Sequence, residues 1–555
     1  MFRDLMTGII VRAMIAKGRL DVKRMHRQAS MARKNNDRLL FSILKTNQNS
    51  EIGRKYKFDQ IKTIEDYRQS VPFSSFNDYE DYVLRMIDNN EDNLMTSLPV
   101  IGYAQSSGSV GSRKMIPITQ PEVNVYTRYT VTRMLGLADE YHKKKYGKGL
   151  KPGRGLFTFP AFEDFLPNGV PASNIPDIAA KQLGIFYPYI LVLPFRKLFT
   201  PQEIDPHYVN FRYGLLDEKL MYMFGVFFLN FTDYFRYLED NWQQLVEDIE
   251  KGTVSELAHA SDAAKEKLLR ITRPEPEKAS RLRKEFEKGF DKTIISRIWP
   301  NMSVICGIGT SSFAPFAKIA RNYTGSIPYD FSIYGASEGL FAAADETESS
   351  DQLLLIDSCY FEFIPVDDET KTLSVDELKI GNEYEIIITN QSGLYRYRCG
   401  DIIKVTRFYH DCPYIRFSYR KGQLLNLCGE KTTEEHMAAI VNAISKKAGC
   451  SILNWAVYSD LENYPYHYVL LLENDEGKDL SIYSDFAQQV LLEVNVRIRV
   501  FFEIGPIKIR NLKPGSQDQW RAKMTAKGTA EGQIKPVRIL DTEEKEAFFL
   551  SRIID

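Results

Sequence analysis

The sequence predicts an α/β fold with mixed sheets, followed by a compact α+β unit. Two features of pattern and one of size predict it. Apolar strand candidates alternate with helical stretches between residues 100 and 420. After residue 424 the texture changes to a shorter βα pattern. The chain has 555 residues, 44% hydrophobic and 26% charged, an ordinary globular balance with length enough for several cores.

Residues 1–100 read as mostly helix and loop. In the opening stretch Leu5, Ile9, Met14 and Ile15 roughly fit one helix face, which predicts a helix packed on the body. A helix lying on a membrane surface is the sharper alternative. Strand candidates follow at Pro99–Tyr103, Ile185–Val192, Ser303–Ile308, Tyr384–Thr389 and Asp401–Arg407, with helices at Asp233–Lys251 and Ala263–Gly289. Leu220–Phe235, rich in Phe, Tyr and Met, reads as a buried core helix. The basic run Lys143–Gly149 reads as a solvated loop. Beyond 424, helices at Thr432–Lys447 and Leu480–Val494 alternate with strands near Asn454–Ser459, His467–Glu473 and Arg499–Glu503.

Several function classes drop out. With 72 Lys and Arg against 73 Asp and Glu, the net charge is −1, so no basic excess points to nucleic acid. The six cysteines form no CxxC pair, which predicts reduced thiols and a cytoplasmic protein without a structural metal. Arg3, Asp4, Arg12, Lys17 and Arg19 interrupt the N-terminal apolar residues, so neither a membrane span nor a signal peptide is expected.

Three motifs carry chemistry. Ser106-Ser107-Gly108-Ser109-Val110-Gly111-Ser112-Arg113-Lys114 follows a short apolar strand. Its backbone N–H groups and hydroxyls can cradle phosphates, with Lys114 adding a positive charge. It is not the GxxxxGK[ST] pattern of P-loop enzymes. Tyr334-Gly335-Ala336-Ser337-Glu338-Gly339 opens a strand end into a turn that can present one carboxylate to magnesium. Gly393 to Asp401 places an Asp after a glycine turn, where its two acceptor oxygens can take hydrogen bonds from a ribose diol. Taken singly, each also reads as an ordinary turn.

Together these motifs resemble the adenylate-forming superfamily of acyl-CoA synthetases, peptide-synthetase adenylation domains and luciferase. Within it, the chain is most similar to the auxin-responsive acyl-acid amido synthetases, the Gretchen Hagen family. The marks of that family stand in order: Val71-Pro72-Phe73 with Tyr79-Glu80-Asp81, the serine–glycine loop, Trp299-Pro300-Asn301, Gly309-Thr310, the YGASEG string, Tyr360 to Pro365, Gly393 to Asp401, Phe417-Ser418-Tyr419-Arg420, and Gly528 with Gln533 to Pro536. Val110, which offers no hydroxyl, departs from the plant pattern.

The resemblance implies a large N-terminal domain, 1–420, with mixed sheets and a β-barrel-like part flanked by helices. A hinge at 421–424 and a small mobile α+β domain, 425–555, complete it. It implies that Ser106, Ser107, Gly108, Ser109, Gly111 and Lys114 contact the ATP phosphates. Tyr334 borders adenine, and Gly335, Ala336, Ser337 and Phe417 also bind the nucleotide. Glu338 ligates magnesium, Asp401 and Arg420 serve the ribose, and Lys535 reaches the acyl carboxylate and α-phosphate. The implied activity is acid adenylation with Mg-ATP, then transfer to an amine, expected to be an amino acid, by a monomer. An acyl- or aryl-CoA ligase shares the first step. A non-catalytic nucleotide-binding scaffold is the alternative from another class.

Overall fold

The computed structural model describes residues 2–554 other than 107–113, 159–163, 174, 176–177, 180–183, 193–202, 292, 311–313, 332, 422–424, 428–429, 431, 475, 496–497, 499–503, 527–535 and 541. The chain divides into two compact units, one holding residues up to 106 and from 113 to 419, the other holding 420–555.

The first unit opens with helix α1 (Phe2–Ala29), whose buried residues Thr7, Val11, Ile15, Gly18, Val22, Met25 and Ala29 recur every three or four positions. This is not the face expected from the sequence, because Leu5 and Ile9 are 62% and 53% exposed. Backbone approach decides the face. A Cβ on Gly18 would overlap the Thr132 carbonyl, and one on Gly136 would overlap the Gly18 backbone. So α1 crosses the helix Arg133–Tyr146 at a contact only glycine permits.

Strands β1 (Val100–Ser106) and β2 (Lys114–Thr119) pair antiparallel and place Ser106 opposite Lys114. They join β4 (Asp164–Phe165) and β5 (Pro171–Ser173) in the order β2-β1-β5-β4. A parallel sheet holds β3 (Arg154–Phe157), β6 (Leu220–Phe227), β7 (Val304–Ile308) and β8 (Tyr329–Asp330) in sequence order. A seven-stranded sheet holds β9 (Ile333–Ala336), β10 (Gly339–Ala343), β11 (Gln352–Leu354), β12 (Tyr360–Pro365), β13 (Glu383–Thr389), β14 (Tyr397–Tyr409) and β15 (Cys412–Arg420). Its order is β12-β13-β14-β15-β11-β10-β9.

Four expectations are corrected. Leu220–Phe235 is not one helix: β6 runs through Phe227 and a helix starts at Phe228. Strand β6 lies between two parallel neighbours, so it is apolar on both faces and shows no alternation. Ile185–Val192 is mostly helical, with Pro188 in the first turn of Tyr187–Ile190, where a missing N–H costs nothing. Ala263–Gly289 is two helices, Asp262–Ile271 and Pro276–Phe286, separated around Pro274. Lys143–Tyr146 is the last turn of a helix, where cations meet the negative end of the dipole.

The second unit has a sheet of β16 (Ile452–Asp460), β17 (His467–Asn474), β18 (Lys508–Leu512) and β19 (Ile553–Ile554) in sequence order. Helices Glu434–Ala448 and Ser484–Val494 accompany it. Trp520, Val537, Leu540 and Phe549 pack with Ala456, Val469 and Leu471 in its core. The expected strand at 499–503 lies outside the described residues. No helix of the described chain is long and apolar enough to cross a membrane.

Candidate active site

The string YGASEG folds into a hairpin: β9 supplies Tyr334, Gly335 and Ala336, Ser337 and Glu338 make the turn, and β10 leaves from Gly339. Glu338 is only 5% exposed. Two neighbours fix it. The Asn390 amide donates to its backbone carbonyl at 2.8 Å, and the Tyr397 hydroxyl donates to its Oε1 at 3.2 Å. Asn390 is held in turn, its side-chain oxygen accepting from the backbone N–H of Ser392 and of Leu394.

Asp401 was expected just after a glycine turn, opening a strand at 401–407. The strand β14 starts earlier, at Tyr397, and Asp401 lies within a β-bulge of it. Opposite it Glu385 pairs Ile402 while Ile387 already pairs Arg398, and Gly400 takes φ of 75°, a conformation that favours glycine. The bulge re-aims the strand, and Asp401, 3% exposed, accepts a hydrogen bond from the Tyr334 hydroxyl at 2.9 Å. The Tyr334 ring also meets Phe417, with centroids 5.8 Å apart. Phe417, on β15, shares the wall of an open pocket of about 560 Å³ with Gly309, Thr310 and Phe331, rimmed by Arg321 and Arg416.

The structure thus gathers Tyr334, Glu338, Asp401 and Phe417, with Gly335, Ala336 and Ser337 on the same hairpin. Lys114 begins β2 and its Nζ lies 5.7 Å from the centre of the Phe76 ring. Ser106 ends β1, and Arg420 ends β15. Ser107, Gly108, Ser109, Gly111 and Lys535 lie outside the described residues. Sequence reasoning assigned no role to Asn390 or Tyr397, although Tyr397 lies inside the string Gly393 to Asp401 and Asn390 stands just before it. A polar residue that holds a functional carboxylate carries no spacing signal of its own.

Behind the turn sits Glu122, on the helix Gln120–Thr127. Its two carboxyl oxygens are buried and, among the described residues, have no hydrogen-bond partner at normal distance. Burial pushes its pKa up to about 8, and the nearby Ser392 hydroxyl opposes the shift.

The strings that carry the resemblance also build the frame of the site. Glu362 of β12 receives Arg396 at 2.9 Å and Arg68 at 3.0 Å. Arg396 donates to the Arg68 and Val71 carbonyls and stacks 4.0 Å from the Phe73 ring centre. The Tyr79 hydroxyl accepts from the Tyr395 backbone N–H at 2.8 Å.

A hairpin-borne carboxylate and a second carboxylate on a bulged strand, with Tyr334 linking the second to Phe417 in the pocket wall, stand in the mixed α/β frame expected of an adenylate-forming ligase. Residues 21–329 match the GH3 family N-terminal domain, 352–420 its central domain and 434–544 its C-terminal domain. The chain belongs to the GH3 family. It is 26% identical over 536 residues to the 4-substituted benzoates-glutamate ligase GH3.12 of Arabidopsis thaliana, covering 91% of this chain and 92% of the relative. It is 28% identical to the indole-3-acetic acid-amido synthetase GH3.8 of Oryza sativa subsp. indica, covering 90% and 87%. Among solved structures it is similar to AtGH3.15 acyl acid amido synthetase in complex with 2,4-DB, with a TM-score of 0.66, 23% identity and 96% of each chain covered.

Proposed function

We propose that this protein uses ATP to convert a carboxylic acid to an acyl adenylate and then transfers the acyl group to an amino acid. One observation carries the reading. Glu338 and Asp401 are both buried, yet each accepts from a tyrosine hydroxyl, and Tyr334, the donor to Asp401, meets Phe417 in the wall of a pocket of a size that suits a nucleoside. A neutral donor such as the Tyr397 hydroxyl keeps the Glu338 carboxylate in place without cancelling its charge.

In this reading adenine enters the pocket between Gly309–Thr310 and Phe417, beside Tyr334, Gly335, Ala336 and Ser337. Asp401, with Arg420, takes the ribose hydroxyls. Ser106, Ser107, Gly108, Ser109, Gly111 and Lys114 meet the phosphates. One buried carboxylate beside phosphates is a donor set that suits magnesium, so Glu338 would hold that ion, which when bound offsets phosphate charge. Residues 425–555 form a lid hinged at 421–424 that delivers Lys535 to the acyl carboxylate.

A carboxylate oxygen attacks the α-phosphorus, the bond to the β-phosphate oxygen breaks, and pyrophosphate leaves. Two anions must approach each other, which is why cations are needed there. The amine nitrogen then attacks the acyl carbon, loses its proton, and AMP departs with the oxygen that came from the acid. The relatives named for glutamate and for amide synthesis support an amino acid as acceptor. The chain is read as a cytoplasmic monomer.

The test offers the acid and Mg-ATP with amino acids or coenzyme A in turn. Amide and AMP are expected with an amino acid. Thioester formation alone would replace this reading with a CoA ligase, and ATP binding without turnover would leave a scaffold.

A further inference from the structure

Helix α1 has two faces, and packing uses only one. The buried face is centred on Val11, Gly18 and Met25. The residues Phe2, Leu5, Ile9, Ala13, Ala16 and Leu20 recur every three or four positions and are all exposed. At 100° per residue this second stripe lies roughly opposite the buried one. Its large members are well exposed: Phe2 69%, Leu5 62%, Ile9 53% and Leu20 64%.

The charge on α1 has one sign. The helix carries seven Arg and Lys but only two Asp. Both acids are already used: Asp4 pairs Arg154 and Lys219, and Asp21 pairs Lys17 and accepts from Thr132. Arg12, Lys23 and Arg27 are exposed and hold no ion pair among the described residues. They flank the stripe and extend it past Leu20.

We propose that the outer face of α1 docks on an anionic lipid surface, with the apolar stripe entering the interface and the free cations on the headgroups. Apolar area and cationic flanks are the two terms that drive such binding. A second copy of the chain is the rival occupant. Paired through this face, it would set Arg12, Lys23 and Arg27 against a like-charged set, with both acids of the helix already engaged by Arg154, Lys219 and Lys17. An anionic surface answers both the apolar and the charged parts. The catalytic reading does not depend on this face.

The experiment floats the full chain with phosphatidylcholine vesicles with and without phosphatidylserine. Binding is expected to the anionic vesicles and to weaken with added salt. It should fall about ten-fold or more in the L5E/I9E/L20E variant, by loss of apolar insertion. The R12Q/K23Q/R27Q variant, which keeps the stripe, should lose several-fold as its headgroup attraction goes. Acid-dependent pyrophosphate exchange should be unchanged in both. Equal binding to neutral vesicles, no binding at low salt, or wild-type binding by either variant would overturn the proposal. So would a dimer that the first variant dissolves.

Discussion

Two buried glutamates, Glu338 and Glu362, sit in family strings of the same seven-stranded sheet and have opposite surroundings. Glu362, 1% exposed, is gripped by the guanidinium groups of Arg396 and Arg68. Its charge is cancelled and its oxygens are occupied. Glu338 is gripped by a phenol and, through its carbonyl, by an amide. Its position is fixed, and among the described residues no ion pair matches its charge. A carboxylate kept for structure and one kept for a ligand therefore differ in the charge of what holds them, and burial alone does not separate them.

The comparison breaks most visibly at Glu362. Glu362→Ala strands two arginines, one of them buried, and should cost about 3–5 kcal/mol of stability, read as a lower urea midpoint. A midpoint near wild type would mean that Glu362 does not anchor the frame. Glu338→Gln keeps the shape and should leave that midpoint alone. It should lower acid-dependent pyrophosphate exchange about 10²–10³-fold, as loss of an electrostatic group does. If exchange survives while the protein unfolds more easily, the two glutamates have been given each other's roles.

Glu122 sharpens the contrast, since it is a third buried carboxyl, with no held partner. The folded protein binds its proton more tightly than the unfolded chain, so raising pH from 4.5 toward 8 favours unfolding. Replacing it by Gln should remove that slope, leaving the variant about 1–2 kcal/mol more stable than wild type above pH 8, allowing for relaxation around the site. Parallel stability–pH curves for the two proteins would argue against a neutral Glu122. The smallest effect is expected at Tyr334→Phe, which keeps the ring on Phe417 and removes one hydrogen bond to Asp401. A rise of about three- to ten-fold in KM for ATP is expected, with kcat largely kept. An unchanged KM would take Tyr334 out of the ribose side.

The α/β frame was legible because β7 and β13 are short apolar runs between clear turn signals, and the nucleotide motifs because their residue types recur at set distances. What failed has physical causes. Strand β6 is buried on both faces and so has no alternation to read. The packed face of α1 is chosen by Gly18 against Gly136, a contact made across more than a hundred residues of sequence. Leu5 and Ile9 misled because an exposed stripe follows the same helical period as a buried one. The strand expected from Asp401 starts four residues earlier, at Tyr397, because a bulge at Gly400 lets the chain pair through the glycine turn. Asn390 and Tyr397 could not be found from spacing, since their task exists only once Glu338 is in place.

The central claim is that acid and ATP pass through a shared acyl–phosphate linkage that leaves as AMP. The most direct measurement supplies a carboxylic acid labelled with ¹⁸O in its carboxylate, together with Mg-ATP and an amino acid, and locates the label after turnover. One labelled oxygen in the AMP phosphate, with pyrophosphate and amide formed alongside, is the predicted result. Label in inorganic phosphate with ADP released, or no label in any phosphate, would contradict it.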